Sequence, residues 1–336
     1  MDEIRWGMIG CGDVAERKSG PAFNLIPHSR LLAVAGTHTG RAEDFARRHG
    51  IPKWYNDGNA LIDDPDVNAI YIATPPDSHA SYTIRAAQAG KPVYVEKPMG
   101  RTYAECQAMI AACQQHAVPL FVAYYRRCLP AFVKIKELVE GWKIGAVRCV
   151  TIRLFSAPKP EDLEPGGQSW RVRPEIAGGG YLYDLASHQL DFLDYLFGPV
   201  SAVTSQAANQ ARLYAPEDIV AASWSHSSGV IGTGVWCFTV APGQSVEQAE
   251  IIGSRGRIHF SFFEQAPVHL ETEEGMEEYP FPRHDPIQQP LIQLVVDDLR
   301  GVGDCPSTGE SAARTNCVLE ELTKERQSRR ILCASS

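Results

Sequence analysis

The sequence comprises 336 residues, of which 44% are hydrophobic and 21% are charged, and its formal net charge is −8. This length leaves room for two domains that each bury an apolar core. Because no run of Lys and Arg stands out and no stretch of about 18 apolar residues occurs, we expect neither nucleic-acid binding nor a membrane span. The first predicted strand leaves no room for a signal peptide, so we expect a cytoplasmic protein with a small-molecule ligand.

The nine cysteines are scattered along the chain without a repeated short spacing. This distribution argues against both a zinc site and a disulfide framework. We expect reduced thiols and no bound metal.

The first 125 residues alternate short apolar runs with helical patterns. Strands are predicted at residues 4–9, 31–35, 69–73, 93–95 and 120–122, and helices at 78–89 and 103–116. Alternation of this kind, with nearly continuous apolar strands, predicts a parallel sheet covered on both faces.

After residue 130 the rhythm changes. The predicted elements are helices at 132–140, 185–197, 287–300 and 310–327, a strand at 147–154, and successive strands over 200–269. These strands predict a mainly antiparallel sheet. We expect a dinucleotide-binding domain at 1–125 and a substrate and oligomerisation domain at 126–336, whose last helix is a candidate to pack back on the first domain.

A glycine-rich turn, Gly10-Cys11-Gly12-Asp13-Val14-Ala15, follows the first strand and opens a helix. In the dinucleotide fingerprint the first glycine permits the tight turn, the second lets the pyrophosphate approach the backbone, and the small third residue allows close packing. Any tight strand-to-helix turn favours glycine, but this context favours nucleotide binding. We predict that residues 10–14 bind the cofactor.

The end of the second strand bears on the choice between NAD and NADP. An acidic residue usually holds the ribose 2′-hydroxyl of NAD there, but this chain has Gly36, Thr37 and His38, with Arg41 further on. The side chains of Thr37, His38 and Arg41 could bind a 2′-phosphate, so we predict NADP in preference to NAD. Alternatively, Arg41 lies on a solvated first helical turn.

Thr74, Pro75, Pro76 and His79 follow the third predicted strand. They should therefore lie along the crevice at the carboxyl ends of the parallel strands, where ligands bind in such sheets. We predict that they line the cofactor, although a first-turn histidine such as His79 is as often structural.

Glu96 and Lys97 follow the next strand and should reach the same crevice. Pro98 fixes the backbone just beyond them and is a candidate for a cis peptide bond. An isolated Glu-Lys-Pro triplet would be an exposed turn, but at this strand end we predict a lysine aimed at the nicotinamide.

Asp184 and His188 are four residues apart in a segment with helical periodicity, after three glycines at 178–180. Residues at this spacing project from one helical face. An imidazole is a suitable base for a hydroxyl proton, and a carboxylate can orient it. The alternative is a structural pair at a domain boundary.

These motifs, in this order along the chain, resemble those of the glucose-fructose oxidoreductase/inositol dehydrogenase/MocA family. The resemblance implies a Rossmann domain followed by an α/β domain with a large, open, mainly antiparallel sheet, which commonly forms a subunit interface. We therefore expect a homo-dimer or homo-tetramer. The resemblance also places Lys97, Asp184 and His188 at the positions of the family's catalytic residues, and residues 37–41 are similar to those of NADP-using members.

Tyr125, Arg127, Trp170 and Arg171 are candidates for the substrate site. Arginine forks and aromatic faces suit polyhydroxylated rings or carboxylates, although exposed arginines beside a tryptophan are also ordinary surface packing. The resemblance favours Arg127 and Trp170.

The predicted function is an NAD(P)-dependent oxidoreductase that transfers hydride between the nicotinamide and a sugar, cyclitol or related hydroxy or carbonyl compound. In this hypothesis His188 takes the hydroxyl proton, Asp184 holds His188, and Lys97 contacts the reacting oxygen. Two alternatives remain: a cofactor-binding regulator without turnover, and an NAD-dependent glycoside hydrolase.

Overall fold

The computed structural model describes residues 1–36, 40–164 and 166–324. It contains a six-stranded parallel sheet followed by a mainly antiparallel sheet of eight strands. The predicted fold class is therefore confirmed.

The first sheet has the strand order of a dinucleotide-binding fold. Its strands are β1 (Ile4–Ile9), β2 (Ser29–Ala35), β3 (Lys53–Tyr55), β4 (Ala69–Ile72), β5 (Val93–Val95) and β6 (Leu120–Val122). All of them pair in parallel, in the order β3-β2-β1-β4-β5-β6. The order reverses between β1 and β4, and the crevice at this reversal is where such folds bind nucleotides.

Helices cover both faces of this sheet. They are α1 (Gly20–Phe23), preceded by a π-helical turn at Ala15–Ser19, and α2 (Arg41–His49), α3 (Gly58–Ile62), α4 (His79–Gln88) and α5 (Tyr103–Gln115). The strand side chains alternate between two cores: Trp6, Tyr71 and Tyr94 lie in one, and Ile70 and Val93 in the other. This burial on both faces explains the nearly continuous apolar runs.

The second sheet follows a short helical region. Its strands are β7 (Val147–Phe155), β8 (Val200–Ala208), β9 (Ile219–His226), β10 (Ile231–Cys237), β11 (Val246–Gly253), β12 (Gly256–Phe260), β13 (Val268–Thr272) and β14 (Gly275–Tyr279). They are ordered β14-β13-β12-β11-β7-β10-β9-β8, and among these pairs only β7 and β10 are parallel.

One face of the second sheet packs on helices α6 (Pro130–Glu140) and α8 (Ser187–Phe197). The shared core contains Phe132 of α6, Phe192 of α8, and Ile152 and Trp236 of the sheet. A short helix, α7 (Pro174–Ala177), and a π-helical turn, Leu182–Ala186, precede α8. α7 contacts the chain that follows β5, since Arg101 Nη1 donates to the Glu175 carbonyl oxygen at 2.7 Å.

The last two helices return to the first sheet. α9 (Gln289–Arg300) buries Leu291 and Val295 in the core that contains Trp6, while α10 (Gly309–Thr323) buries Ala312 in the core on the opposite face. α10 also buries Leu319 in the core of the second sheet, so the two sheets are connected by packing as well as by the chain. Within the described ranges, no helix combines the length and the apolar character needed to cross a bilayer.

Candidate active site

The glycine-rich turn forms an open cradle at the end of β1. Gly10 has a φ of +109°, and a Cβ there would lie 2.7 Å from the backbone of Ala73, so only glycine fits without strain. A Cβ on Gly12 would meet no heavy atom within 4 Å. The space in front of Gly12 therefore suits a pyrophosphate that approaches the backbone closely, as a dinucleotide cofactor requires.

Two adjoining clefts meet at this turn. One, of about 390 Å³, is lined by Gly10, Cys11, Gly36 and Arg41 among others. The second, of about 280 Å³, has the following among its lining residues: Val14, Pro76, Glu96, Lys97, Tyr125, Trp170, Arg171, Asp184 and His188. Gly12, Asp13, Thr74, Pro75 and Trp170 line both clefts. The crevice thus runs from the end of β2 to the side chains for which we predicted catalytic roles.

Lys97 lies at the carboxyl end of β5, and Asp184 fixes its ammonium group. Lys97 Nζ donates to Asp184 Oδ1 at 2.6 Å and to the Asp184 carbonyl oxygen at 2.8 Å. The second carboxylate oxygen, Oδ2, accepts from Arg171 Nε at 3.1 Å. Burial acts to raise the pKa of Asp184, but the positive charges of Lys97 and Arg171 outweigh it and hold the pKa below its usual range. Asp184 is therefore a carboxylate that orients two cations.

The prediction that Asp184 holds His188 is wrong. Both oxygens of Asp184 are bonded to Lys97 and Arg171, and the buried Nδ1 of His188 has no hydrogen-bond partner among the described residues. The reason is local: Asp184 lies in the π-helical turn Leu182–Ala186, so the α-helical rule that residues four apart share a face does not apply.

His188 lies in the wall of the same cleft, beside aromatic residues that include Tyr125 and Phe263. Its ring centroid is 5.1 Å from that of Tyr125 and 6.1 Å from that of Phe263. Burial holds the pKa of His188 well below its ordinary value, and the positive charges of Arg126 and Lys97 lower it further. The imidazole is therefore neutral at neutral pH and able to accept a proton.

Glu96 supports the cleft through a buried hydrogen-bond network. Its Oε1 accepts from Tyr71 Oη at 2.7 Å and from Gln288 Nε2 at 2.6 Å, while Gln288 Oε1 accepts from Tyr94 Oη at 2.8 Å. Gln288 also lines the cleft, which sequence reasoning missed. No local signal could have found it, because it is 192 residues away from Glu96.

Two predicted site residues have structural roles instead. His79 is fully buried: its Nε2 lies 2.8 Å from the Thr74 carbonyl oxygen and its Nδ1 lies 3.1 Å from that of Pro98, so it ties two loops together rather than facing a ligand. Arg127 does not line the cleft, since its guanidinium makes a buried bidentate pair with Asp191 at 2.5 and 2.8 Å. His79 was predicted from its position after the third predicted strand, whereas Arg127 was favoured by the family resemblance.

Three predicted substrate residues line the second cleft, whereas two predicted cofactor residues are not described by the structure. Tyr125, Trp170 and Arg171 all line the second cleft, and the Arg171 guanidinium stacks on the Trp170 ring at 4.5 Å. Thr37 and His38 lie outside the described residues, so their role in the cofactor site stays a prediction.

Six residues that line the second cleft were not among the predicted site residues: Lys18, Ala73, Arg126, Leu185, Phe263 and Gln288. Lys18 and Arg126 could have been proposed because they adjoin predicted motifs in sequence. Phe263 carries no such signal, since it reaches the cleft from the end of the second sheet.

The peptide bond between Lys97 and Pro98 is cis, as the sequence suggested. The eight described cysteines are free thiols. In the part of the chain that the structure describes, no group of three or more His, Cys, Asp or Glu side chains is arranged to hold a metal ion.

Comparison with known proteins gives consistent matches in both parts of the chain. Residues 4–124 match the family model described as an oxidoreductase family with an NAD-binding Rossmann fold, and residues 132–259 match the GFO/IDH/MocA C-terminal domain. The chain is 35% identical over 317 residues to oxidoreductase P35 of Formosa agariphila, which covers 94% of this chain and 97% of that protein.

More distant relatives extend the comparison. The 1,5-anhydro-D-fructose reductase of Ensifer adhaerens is 28% identical over 314 residues, which is 91% of each chain. The solved structure of levoglucosan dehydrogenase in complex with NADH superimposes with a TM-score of 0.86 at 23% identity, covering 95% of this chain and 96% of that one, which establishes a shared fold. Because family models match both parts of the chain and one oxidoreductase matches nearly its whole length, this chain belongs to the Gfo/Idh/MocA family of NAD(P)-dependent oxidoreductases.

Proposed function

We propose that this protein oxidises a hydroxyl group, or reduces the corresponding carbonyl group, of a sugar or polyol, with Lys97, Asp184 and His188 as the working residues. The observation that carries the proposal is that Lys97 and His188 line one cleft that continues into the glycine cradle. Two relatives are named for carbohydrate substrates, 1,5-anhydro-D-fructose and levoglucosan, which supports the substrate class.

In the oxidative direction, the neutral imidazole of His188 accepts the proton of the substrate hydroxyl. Lys97, held at two points by Asp184, donates a hydrogen bond to the same oxygen and stabilises the negative charge that develops on it. The bound nicotinamide supplies the hydride acceptor. In the reductive direction the roles invert, and protonated His188 donates to the oxygen.

Asp184 is in this proposal a positioning residue for Lys97. Its carboxylate holds the ammonium group in place through one oxygen and Arg171 through the other. Fixing the ammonium before the reaction means that no reorganisation is needed when charge develops on the substrate oxygen.

The variant Lys97→Met tests the catalytic role. We expect kcat to fall by about 100-fold or more, the effect of removing one preorganised donor to a developing oxyanion, while the cofactor still binds. Cofactor binding is measured by calorimetry and turnover by absorbance. Near-normal turnover in this variant would remove Lys97 from the mechanism.

We further propose that NADP is preferred to NAD. No carboxylate is present at Gly36, and Arg41, which is exposed, lines the cleft at the end of β2. A Cβ on Gly36 would have its nearest contact at 3.5 Å, with the Ala42 nitrogen, so a larger residue is tolerated there.

Two variants test this preference. Arg41→Ala should raise the KM for NADP by about 10- to 150-fold, the effect of losing a charge-assisted hydrogen bond, and leave the KM for NAD unchanged. Gly36→Asp should shift the preference toward NAD. If neither variant changes the NADP/NAD ratio, the proposed 2′-phosphate contact is wrong.

Two other functions make different predictions. A regulator would bind cofactor and sugar without turnover, and an NAD-dependent glycoside hydrolase would cleave a glycoside with no net change in the absorbance of reduced nicotinamide at about 340 nm. A dehydrogenase gives a net absorbance change that depends on the substrate. A broad panel of sugars and polyols, with product analysis, therefore separates the three.

We also propose a cytoplasmic enzyme with a nucleotide-binding domain at 1–125 and a second domain at 126–336, which assembles as a homo-dimer or homo-tetramer through the antiparallel sheet. This assembly is supported by the family resemblance, since the large open sheet commonly forms a subunit interface in that family. Light scattering measures the mass of the assembly, and a monomer at micromolar concentration would contradict it.

A further inference from the structure

Arg126 is a buried arginine without an anionic partner. Its side chain and backbone together are 5% exposed, and its Nε donates to the Phe262 carbonyl oxygen at 2.9 Å. Within residues 1–36, 40–164 and 166–324, its Nη1 has no hydrogen-bond partner and no carboxylate forms an ion pair with it. A buried cation is costly unless an anion and further hydrogen bonds offset its desolvation.

The neighbouring arginine shows the contrast. Arg127 is buried to a similar extent, but Asp191 provides it with a bidentate carboxylate, and the Pro306 carbonyl oxygen accepts from its Nη1 at 2.5 Å. Of these two adjacent buried arginines, only Arg127 thus has a carboxylate partner among the described residues. The other is left with hydrogen-bonding capacity unused at the wall of the active-site cleft.

Arg126 is close to the proposed catalytic base. Its guanidinium carbon lies 5.1 Å from the Tyr125 ring centroid and 4.6 Å from that of Phe263. The same two rings contact His188, at centroid distances of 5.1 and 6.1 Å. Because the guanidinium and the imidazole share these aromatic neighbours, one sugar-sized ligand could contact both.

Four cations line the cleft, Lys18, Lys97, Arg126 and Arg171, together with three carboxylates, Asp13, Glu96 and Asp184. Lys97 and Arg171 are both paired with Asp184, but Lys18 and Arg126, which line the same cleft, have no carboxylate partner among the described residues. Burial acts to raise the pKa of Tyr125, yet the charges of Arg126, Lys18 and Lys97 outweigh it and lower the pKa. The field around Tyr125 is therefore positive and favours an anionic ligand.

We propose that Arg126 binds a carboxylate of the substrate, so that the preferred substrates are sugar acids such as hexuronates. The Nε of Arg126 is bonded to Phe262 and its buried Nη1 has no partner, so a carboxylate at the cleft wall would supply the anion that the described residues do not give this guanidinium. The flanking rings of Tyr125 and Phe263 fix the plane of the fork. This inference rests on the proposed function and narrows its substrate class.

The test compares matched substrates with the full-length protein. Glucose, galactose and mannose are each compared with the corresponding hexuronate and the 6-phosphate, in both directions of the reaction and with both NAD and NADP. We expect kcat/KM for at least one hexuronate to exceed that of its neutral partner by about 10- to 100-fold, the effect of one charge-assisted contact. The 6-phosphate should not show the same preference.

The variant Arg126→Gln should reduce this preference to less than about threefold, because kcat/KM for the acid should fall by more than kcat/KM for the neutral sugar. Arg126→Lys keeps the charge without the fork and should retain only part of the preference. Arg17→Gln is the matched control: it removes a nearby arginine that is paired with Asp13 and whose side chain is 76% exposed, and it should leave the preference for the acid over the neutral sugar unchanged.

Calorimetric binding of a hexuronate to the protein with cofactor provides a second measurement that does not require turnover. Tighter binding of the acid that depends on Arg126 supports the inference even if no sugar is turned over, and in that case only the proposed oxidoreductase activity fails. Three results would overturn the inference: equal use of acids and neutral sugars, a preference for the phosphates, or an unchanged preference in folded Arg126→Gln.

Discussion

The variant Asp184→Asn separates two interpretations of the active site. If Asp184 orients Lys97, its removal should impair the step in which Lys97 stabilises charge on the substrate oxygen. The carboxylate makes hydrogen bonds of 2.6 Å to Lys97 and 3.1 Å to Arg171, and its side chain is 25% exposed. A hydrogen bond to a charged group contributes about 1.5–3 kcal/mol, so we expect kcat to fall by about 10- to 150-fold.

A double-mutant cycle identifies the partner of Asp184. In the Lys97→Met background, Asp184→Asn should cost less than about threefold, because the group it positions is gone. In the His188→Asn background, Asp184→Asn should still lower kcat by nearly the same factor as it does in the wild type. The assay is steady-state turnover at saturating cofactor. The pH dependence of kcat/KM is a second measurement: in Asp184→Asn the decrease of kcat/KM at acidic pH should remain as in the wild type.

The control for this cycle is Asp194→Asn, which removes a carboxylate from α8 that pairs with Arg314 outside the cleft. It should leave kcat of the folded enzyme within about threefold, as expected for an ion pair remote from the chemistry. The reasoning would be refuted if Asp184→Asn kept its full cost without Lys97 and lost it without His188. That pattern would restore the sequence-based prediction of an Asp184–His188 pair.

Two further predictions concern buried ionisable side chains. Arg127→Met leaves Asp191 unpaired and should lower the free energy of unfolding, measured by chemical denaturation, by about 3–5 kcal/mol. The kcat of the folded variant should be unchanged. A selective rise in the substrate KM would contradict a structural role for Arg127. Because burial lowers the pKa of His188, the unfolded chain binds a proton below about pH 6.5 that the folded protein resists. Relative to His188→Gln, the wild type should therefore lose stability as the pH falls from 7 to 5, by up to about 1.4 kcal/mol per pH unit, and a constant difference would be inconsistent with a neutral buried imidazole.

Some features of the fold were predictable because they are local. β1, β5 and β6 have the bounds expected from their apolar runs, and Thr102 caps α5 by accepting from the Glu105 backbone. β3 was missed because its three residues, Lys53–Tyr55, are too few and too exposed to show a strand pattern. A strand of this kind forms because β2 offers it a pairing partner, not because of its own sequence.

The sequence by itself determined the parallel sheet, the glycine cradle at Gly12 and the location of Lys97 in the crevice, because the carboxyl ends of parallel strands meet at one edge whatever else the chain does. Only the tertiary structure decided that Asp184 bonds Lys97 rather than His188, that Arg127 is neutralised inside the protein, and that Arg126 is not. Such pairings depend on distances across space between segments remote in sequence. Propensity and spacing describe each segment alone, whereas the partner of a buried charge is fixed by how the segments pack.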